Sequence, residues 1–221
     1  MELQTGNGVL VHCEISEGRL APVATEALGA GSRLATALGQ ELSAVIIGAG
    51  AAGTAQEAVA CGAAKVYTVD SPSVQDYATE PYLQALETVV RQSAPAIVLL
   101  GQTPVGRDLA PWLALRLNTG ATMDCMTLEI DADSKRLLMT RPVYGGNAQA
   151  VQTCRTDPQI ATIRLKAMAP AERDEARQGQ PIDVTADVDA TAARATLRDR
   201  KVEPETGIKL DEARVIVAGG R

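Results

Sequence analysis

AIVLLGQTPVGRDLAPWLALRLNTGATMDCMTLEID, residues 96–131, is the stretch that decides the fold. It opens with an unbroken apolar run, Ala96 to Leu100, closed by Gly101. A run with no polar alternation suits a strand buried on both faces, as in a parallel sheet covered by helices. The turn Gly-Gln-Thr-Pro-Val-Gly-Arg-Asp at 101–108 leads into a helix to about Leu117, with Leu109, Leu113 and Leu117 on one face. With Asp108 as its cap, Pro111 falls in the first turn, where its missing N–H loses no hydrogen bond. After Gly120 the pattern changes to strand.

Working outward, Val9 to Cys13 is a short β-rich run. Leu20, Val23, Ala24, Ala27, Leu28, Gly31, Leu34, Ala35 and Leu38 then recur at three- and four-residue steps, the stripe of a helix lying on a sheet. Pro22 fits its first turn and Gly39 its end. Ser43 to Gly48 reads as a buried strand, Thr54 to Cys61 as a helix, Lys65 to Asp70 as a strand and Pro81 to Ser93 as a helix. This alternation argues for parallel order with right-handed crossovers. Residues 121–130, 136–144, 148–154 and 159–164 read as strands joined by short polar turns, adding an antiparallel region in the second half. Residues 166–182 read as linker and 183–203 as one or two edge strands. The expected class is α/β: a mostly parallel twisted sheet flanked by helices, Rossmann-like and nucleotide-hydrolase-like, with the antiparallel addition.

Composition narrows the function. At 221 residues the chain supports one sizeable core plus a tail. A net charge of −6, no Phe, four Tyr and one Trp leave little to attract a phosphate backbone or stack on bases, so nucleic acid is not an expected partner. Cys13, Cys61, Cys125 and Cys154 have no Cys-x-x-Cys spacing, and His12 is the single histidine, so no metal site is expected and the thiols read as reduced, buried groups. The opening Met1-Glu2-Leu3-Gln4 lacks the basic start and apolar run of a signal peptide, and no apolar stretch reaches the roughly 20 residues of a membrane span. A cytoplasmic location is expected.

GAGAAG, Gly48 to Gly53, follows a strand, opens a helix and precedes Asp70 at the end of the next strand. That is the pattern of a dinucleotide-binding turn: glycines admit a pyrophosphate to the helix N-terminus and the acid takes the ribose hydroxyls. The other reading is a small-residue turn between strand and helix. The first would make the chain an NAD(P)- or FAD-linked oxidoreductase using Gly48, Gly50, Gly53 and Asp70. The loop Gly101 to Asp108 also ends a buried strand, where open sheets place ligands, and is either a nucleotide loop or a structural turn. Arg141, Tyr144, Gly145, Gly146 and Asn147 lie in a hairpin, with the glycines and Asn147 supplying positive backbone angles. His12, with no catalytic partner at a recognisable spacing, reads as structural, and no nucleophile–base pair is found.

In its motifs the chain resembles the N-terminal domain of the alpha subunit of an electron-transfer flavoprotein. The resemblance rests on Gly101, Thr103, Pro104, Gly106, Arg107, Asp108, Leu109, Ala110 and Pro111, then Gly120, Asp124 and Cys125, with TRPVYGGNA at 140–148, PQIATIR at 158–164 and VIVAGGR at 215–221. It implies a full-length heterodimer with a beta subunit, carrying FAD and accepting electrons from acyl-CoA dehydrogenase-type flavoenzymes, as in fatty acid oxidation. It implies an electron carrier with no catalytic residue, and AMP only in the beta subunit. It divides the chain into an N-terminal domain, 1–195, and a linker with the first strand of the FAD domain, 196–221. Gly220 and Arg221 become flavin contacts, while Arg141, Tyr144 and Asn147 become an interface with the beta subunit or the flavin domain. Because VIVAGGR is where the flavin domain begins, these 221 residues are not expected to retain FAD. The family does not place FAD or AMP at the turn corresponding to GAGAAG.

Overall fold

A computed structural model describes residues 6–186, 188, 191, 193–195, 197–199, 201, 213 and 215–220. In chain order the elements are β1 (Val9–Cys13), β2 (Ile15–Ser16), β3 (Arg19–Leu20), α1 (Pro22–Leu38), β4 (Leu42–Ile47), α2 (Ala51–Ala60), β5 (Lys65–Val69), α3 (Thr79–Ser93), β6 (Ile97–Gly101) and α4 (Pro104–Arg116). The second half adds β7 (Ala121–Cys125), β8 (Thr127–Ile130), β9 (Leu137–Val143), β10 (Ala148–Gln152), β11 (Gln159–Ile163) and β12 (Gln180–Asp183).

Seven strands form one sheet in the order β12-β5-β4-β1-β6-β11-β7, and every neighbouring pair in it is parallel. The alternation of β1 sorts its side chains: Val9, Val11 and Cys13 pack with Ala24, Ala27 and Leu28 of α1 and Ala55 and Val59 of α2. Leu10 packs on the other face with Leu83, Leu86 and Val89 of α3 and Leu109 and Leu113 of α4. Both faces of the central strands are therefore covered, which is why these strands read as unbroken apolar runs. The small residues of α1 let helix and neighbours approach closely, and the core is filled without a single Phe.

The three strands β10-β9-β8 form a separate antiparallel sheet. Its inner residues Leu137 and Met139 join the core on the α1 face. The run read as one strand over 121–130 is thus two: β7 joins the parallel sheet and β8 the antiparallel one. The break has a local cause, since Asp124 takes a left-handed φ of 65° and Met126 N–H then donates to Thr140 O at 2.8 Å. The stretch at 159–164 likewise joins the parallel sheet, as β11 between β6 and β7.

Three local expectations need correction. The cap of α4 is Thr103, whose Oγ1 accepts from Gly106 N–H at 3.0 Å, and not Asp108. Pro111 consequently lies inside the helix on an exposed face, where its ring leaves the Arg107 carbonyl without its helical donor. The early start is possible because Gly106 has no side chain: a Cβ there would meet Gly101 O at 1.9 Å. The edge strand, expected after 183, begins at Gln180 and pairs with β5, and no further strand follows among the described residues. In the hairpin the positive φ angles belong to Tyr144, Gly145 and Gly146, whereas Asn147 is right-handed helical.

Candidate functional site

The loop after β1 leads to α1 on one face of the sheet and the loop after β6 leads to α4 on the other. Adjacent strands whose connections diverge leave a crevice at their carboxyl ends, the usual ligand position in open α/β sheets. A cavity of about 230 Å³ opens beside it, at the carboxyl ends of β1 and β4, lined by His12, Glu14, Gly48, Ala49, Tyr77 and Tyr82 among others and bordered by Val105 of α4. The turns at 48–53 and 101–108 each contribute to its lining, through Gly48 and Ala49 and through Val105.

The chain's own backbone and side-chain groups tie these turns down. Gly48 N–H donates to Val69 O at 3.0 Å, and Gly50 N–H donates to Asp70 Oδ2 at 3.1 Å. The acid that would hold a ribose thus ties down the turn that would cradle its phosphate. On the other side of the crevice Thr103 Oγ1 donates to Glu14 Oε1 at 2.6 Å. Burial pushes the Glu14 carboxyl above its ordinary value, and the Thr103 bond partly opposes this. Asp108 Oδ2 accepts from Tyr77 Oη and Thr79 Oγ1, both at 2.6 Å, so it fastens α4 to the start of α3 rather than capping its own helix. Burial first, then this bond to Asp108, pushes the Tyr77 hydroxyl well above its ordinary value. Neither glycine-containing loop presents a free phosphate cradle.

His12 is 2% exposed, on the α3/α4 side of β1. Neither ring nitrogen has a hydrogen-bond partner among the protein atoms. Burial lowers its pKa to about 4, so the imidazole is neutral at physiological pH. Sequence reasoning placed it correctly in the first strand but had no signal for the cavity it borders.

Sequence reasoning also missed a charged cluster at the carboxyl ends of β7 and β11. Arg164 grips Asp124 with both arms, Nε to Oδ1 at 2.9 Å and Nη2 to Oδ2 at 2.8 Å. This bond holds the Asp124 carboxyl below its ordinary value, with smaller help from Arg141 and Arg107. Arg141 Nε is buried without a partner. The structure therefore separates the residues grouped by the hairpin motif: Arg141, on β9, faces the Asp124 cluster, while Tyr144 and Asn147 stand at the tip. Asn147 Nδ2 donates to Tyr144 O at 3.0 Å, and the Tyr144 ring is 85% exposed.

Gly220 is exposed, with no described atom within 4 Å of where a Cβ would stand; Arg221 lies outside the described residues. The cavity of about 230 Å³ is smaller than a dinucleotide needs. Among them, no three His, Cys, Asp or Glu side chains are grouped to hold a metal, and the four cysteines are free. No helix among the described residues is long and apolar enough to cross a membrane.

Residues 9–189 match the family model of the electron transfer flavoprotein domain. The chain is 38% identical over 214 residues to the electron transfer flavoprotein subunit alpha of Thermoanaerobacterium thermosaccharolyticum, covering 96% of this chain and 64% of that one. It is 38% identical over 223 residues to the subunit of the same name from Megasphaera elsdenii, covering 100% of this chain and 66% of the relative. A third relative is subunit LctC of the lactate dehydrogenase (NAD(+),ferredoxin) of Acetobacterium woodii, 34% identical over 215 residues, covering 97% of this chain and 51% of that protein. The chain thus spans at most 66% of the length of each of these relatives.

Proposed function

This chain belongs to the electron transfer flavoprotein family, in its alpha-subunit branch, and we propose that it is the scaffold and beta-subunit-pairing domain of a FAD-carrying heterodimer. The full-length assembly would take electrons from acyl-CoA dehydrogenase-type flavoenzymes, in the cytoplasm, and pass them to an acceptor. Residues 1–195 form the domain in this reading. Residues 196–221 form the linker and first strand of the FAD domain, bringing Gly220 and Arg221 to the flavin. AMP belongs to the beta subunit alone.

One observation carries the reading. The family match runs through the parallel sheet, from β1 to β12, and the strand-end turns that might hold a nucleotide phosphate are tied by Asp70, Thr103 and Asp108. A domain so closed serves by position and surface, not by converting a substrate. The Arg141, Tyr144 and Asn147 surface supports pairing. Tyr144 at the hairpin tip and Val151 on β10 are exposed apolar groups that a partner would cover. The rival reading, an NAD(P)- or FAD-linked oxidoreductase using Gly48 to Gly53 with Asp70, requires the Gly50 N–H that Asp70 already occupies.

The test is co-purification with the cognate beta subunit. A stable complex is expected, and Arg141→Glu should weaken it by about 2–5 kcal/mol if the guanidinium is desolvated there. Failure of the folded chain to bind the beta subunit would overturn the pairing role, and unchanged affinity for Arg141→Glu would remove Arg141 from the interface.

A further inference from the structure

We propose that Arg107, Arg141 and Arg164, at the carboxyl ends of β6, β11 and β7, form a binding site for a phosphoryl group. This goes beyond the family role above, which calls for no anion at this place.

The cluster is built around one carboxylate that is already satisfied. Arg164 grips Asp124 with Nε and Nη2, at 2.9 and 2.8 Å, which leaves its Nη1 unused. The Asp124 N–H donates to Thr162 Oγ1 at 2.9 Å, and Thr162 Oγ1 donates in turn to Gln102 Oε1. The ends of three adjacent strands are thereby locked together, and Gln102 keeps the N–H groups of Nε2 as donors. Arg107, in the first turn of α4, and Arg141, on β9, both act electrostatically on Asp124. Neither side chain makes a hydrogen bond or ion pair among the described residues. Of all these unused donor atoms only Arg141 Nε is shut away from solvent, so the terminal nitrogens of the arginines stand open to a ligand.

Charge and donor geometry select the occupant. Three guanidinium groups around one carboxylate leave two positive charges uncompensated, on a chain whose formal charge is −6. A phosphate monoester carries about −1.5 to −2 near neutral pH and three acceptor oxygens, so it matches both the excess charge and the unused N–H groups. A side-chain carboxylate would answer only one of the charges, with two oxygens. Arginine's planar fork pairs with phosphate through parallel bonds, and Asp124 holds one such fork in place before a ligand arrives. The carboxyl ends of strands are where open α/β sheets take ligands, and the start of α4 adds the positive end of its dipole. Because the donors are side chains, the tied backbone of the 101–108 turn is no obstacle.

Inorganic phosphate and glycerol phosphate are titrated separately into the 221-residue chain by calorimetry at low salt and about pH 7.5, above the second phosphate pKa of about 6. Saturable binding of both is expected. Equal affinities mark a site for the free ion, and tighter binding of the ester marks one for a phosphorylated metabolite; both support a phosphoryl site. Arg107→Gln, at an exposed position, should weaken binding about tenfold or more, the worth of one charge-assisted hydrogen bond, with an unchanged urea midpoint. Arg116→Gln, at the far end of the same helix, should bind as the wild type does. Three results would each overturn the proposal: no saturable heat up to ~20 mM phosphate, beyond the millimolar range of a weak site; Arg107→Gln and Arg116→Gln affected alike, which means diffuse charge only; or acetate bound as tightly as phosphate, which means a contact for a protein carboxylate. The chain is tested without a beta subunit, so failure here leaves the pairing role standing.

Discussion

Acidification should destabilise this fold in part through His12, by an amount that follows from its burial. In the folded chain its pKa is about 4, against the ordinary 6.5 in the unfolded chain, because desolvation penalises the imidazolium. Between those values the unfolded state binds the proton and the folded state does not, so stability falls as the pH falls. The contribution is fully present above about pH 6.5 and lost progressively down to about pH 4. One pKa unit corresponds to about 1.4 kcal/mol, so the limiting loss is about 3 kcal/mol and the loss at about pH 4.5 is ~2.5 kcal/mol. The assay is urea unfolding of the wild type and of His12→Leu at about pH 7 and about pH 4.5. Other acids titrate in both proteins, including Glu14 on the same cavity, so the quantity of interest is the difference between the two pH-induced losses. Repeating the pair on a Glu14→Gln background removes coupling between these two neighbours. A wild type that loses no more than His12→Leu, within ~0.5 kcal/mol, would refute the reasoning and mean that water or a partner group reaches the ring.

Further outcomes follow from individual contacts. Gly106→Ala should cost several kcal/mol, on the order of 3 or more, because the added Cβ would stand 1.9 Å from Gly101 O and the backbone at both ends of the turn must move; chemical denaturation yielding under ~1 kcal/mol would show that the turn gives way easily. Gly50→Val should cost about 1–3 kcal/mol, from a φ of 79° in otherwise open space. Wild type and variant alike should show no NADH binding by calorimetry; binding that the variant removes would restore the dehydrogenase reading. Arg164→Ala should lower stability only slightly at neutral pH, because the pair is partly exposed and screened by solvent. Since the bond holds the Asp124 carboxyl low, this contribution should fade as the pH falls through that lowered value, and a loss undiminished in acid would point to packing instead.

The parallel half of the fold was written in local pattern. Unbroken apolar runs such as Ile97 to Leu100 and the helical stripe from Val23 to Ala35 state burial directly, because a strand covered on both faces and a helix lying on it have distinct periods. Family membership was legible for a related reason, since the turns at 101–108 and 140–147 carry glycines and prolines in a fixed order. What the local pattern did not fix were choices made between distant residues. Thr103 rather than Asp108 caps α4 because Asp108 is drawn to Tyr77 and Thr79, about thirty positions earlier in the chain. The stretch 121–130 divides between two sheets because β11 and β9 compete for its edges, and alternation alone does not name a partner. The functional surfaces belong to the same class. Arg164 meets Asp124 across forty residues, and His12 borders a cavity made by the ends of β1 and β4 with side chains from α3 and α4. Sequence determines which residues want burial, caps and turns; tertiary structure alone decides which of them meet, because a hydrogen bond or a void between segments depends on packing that no single segment encodes.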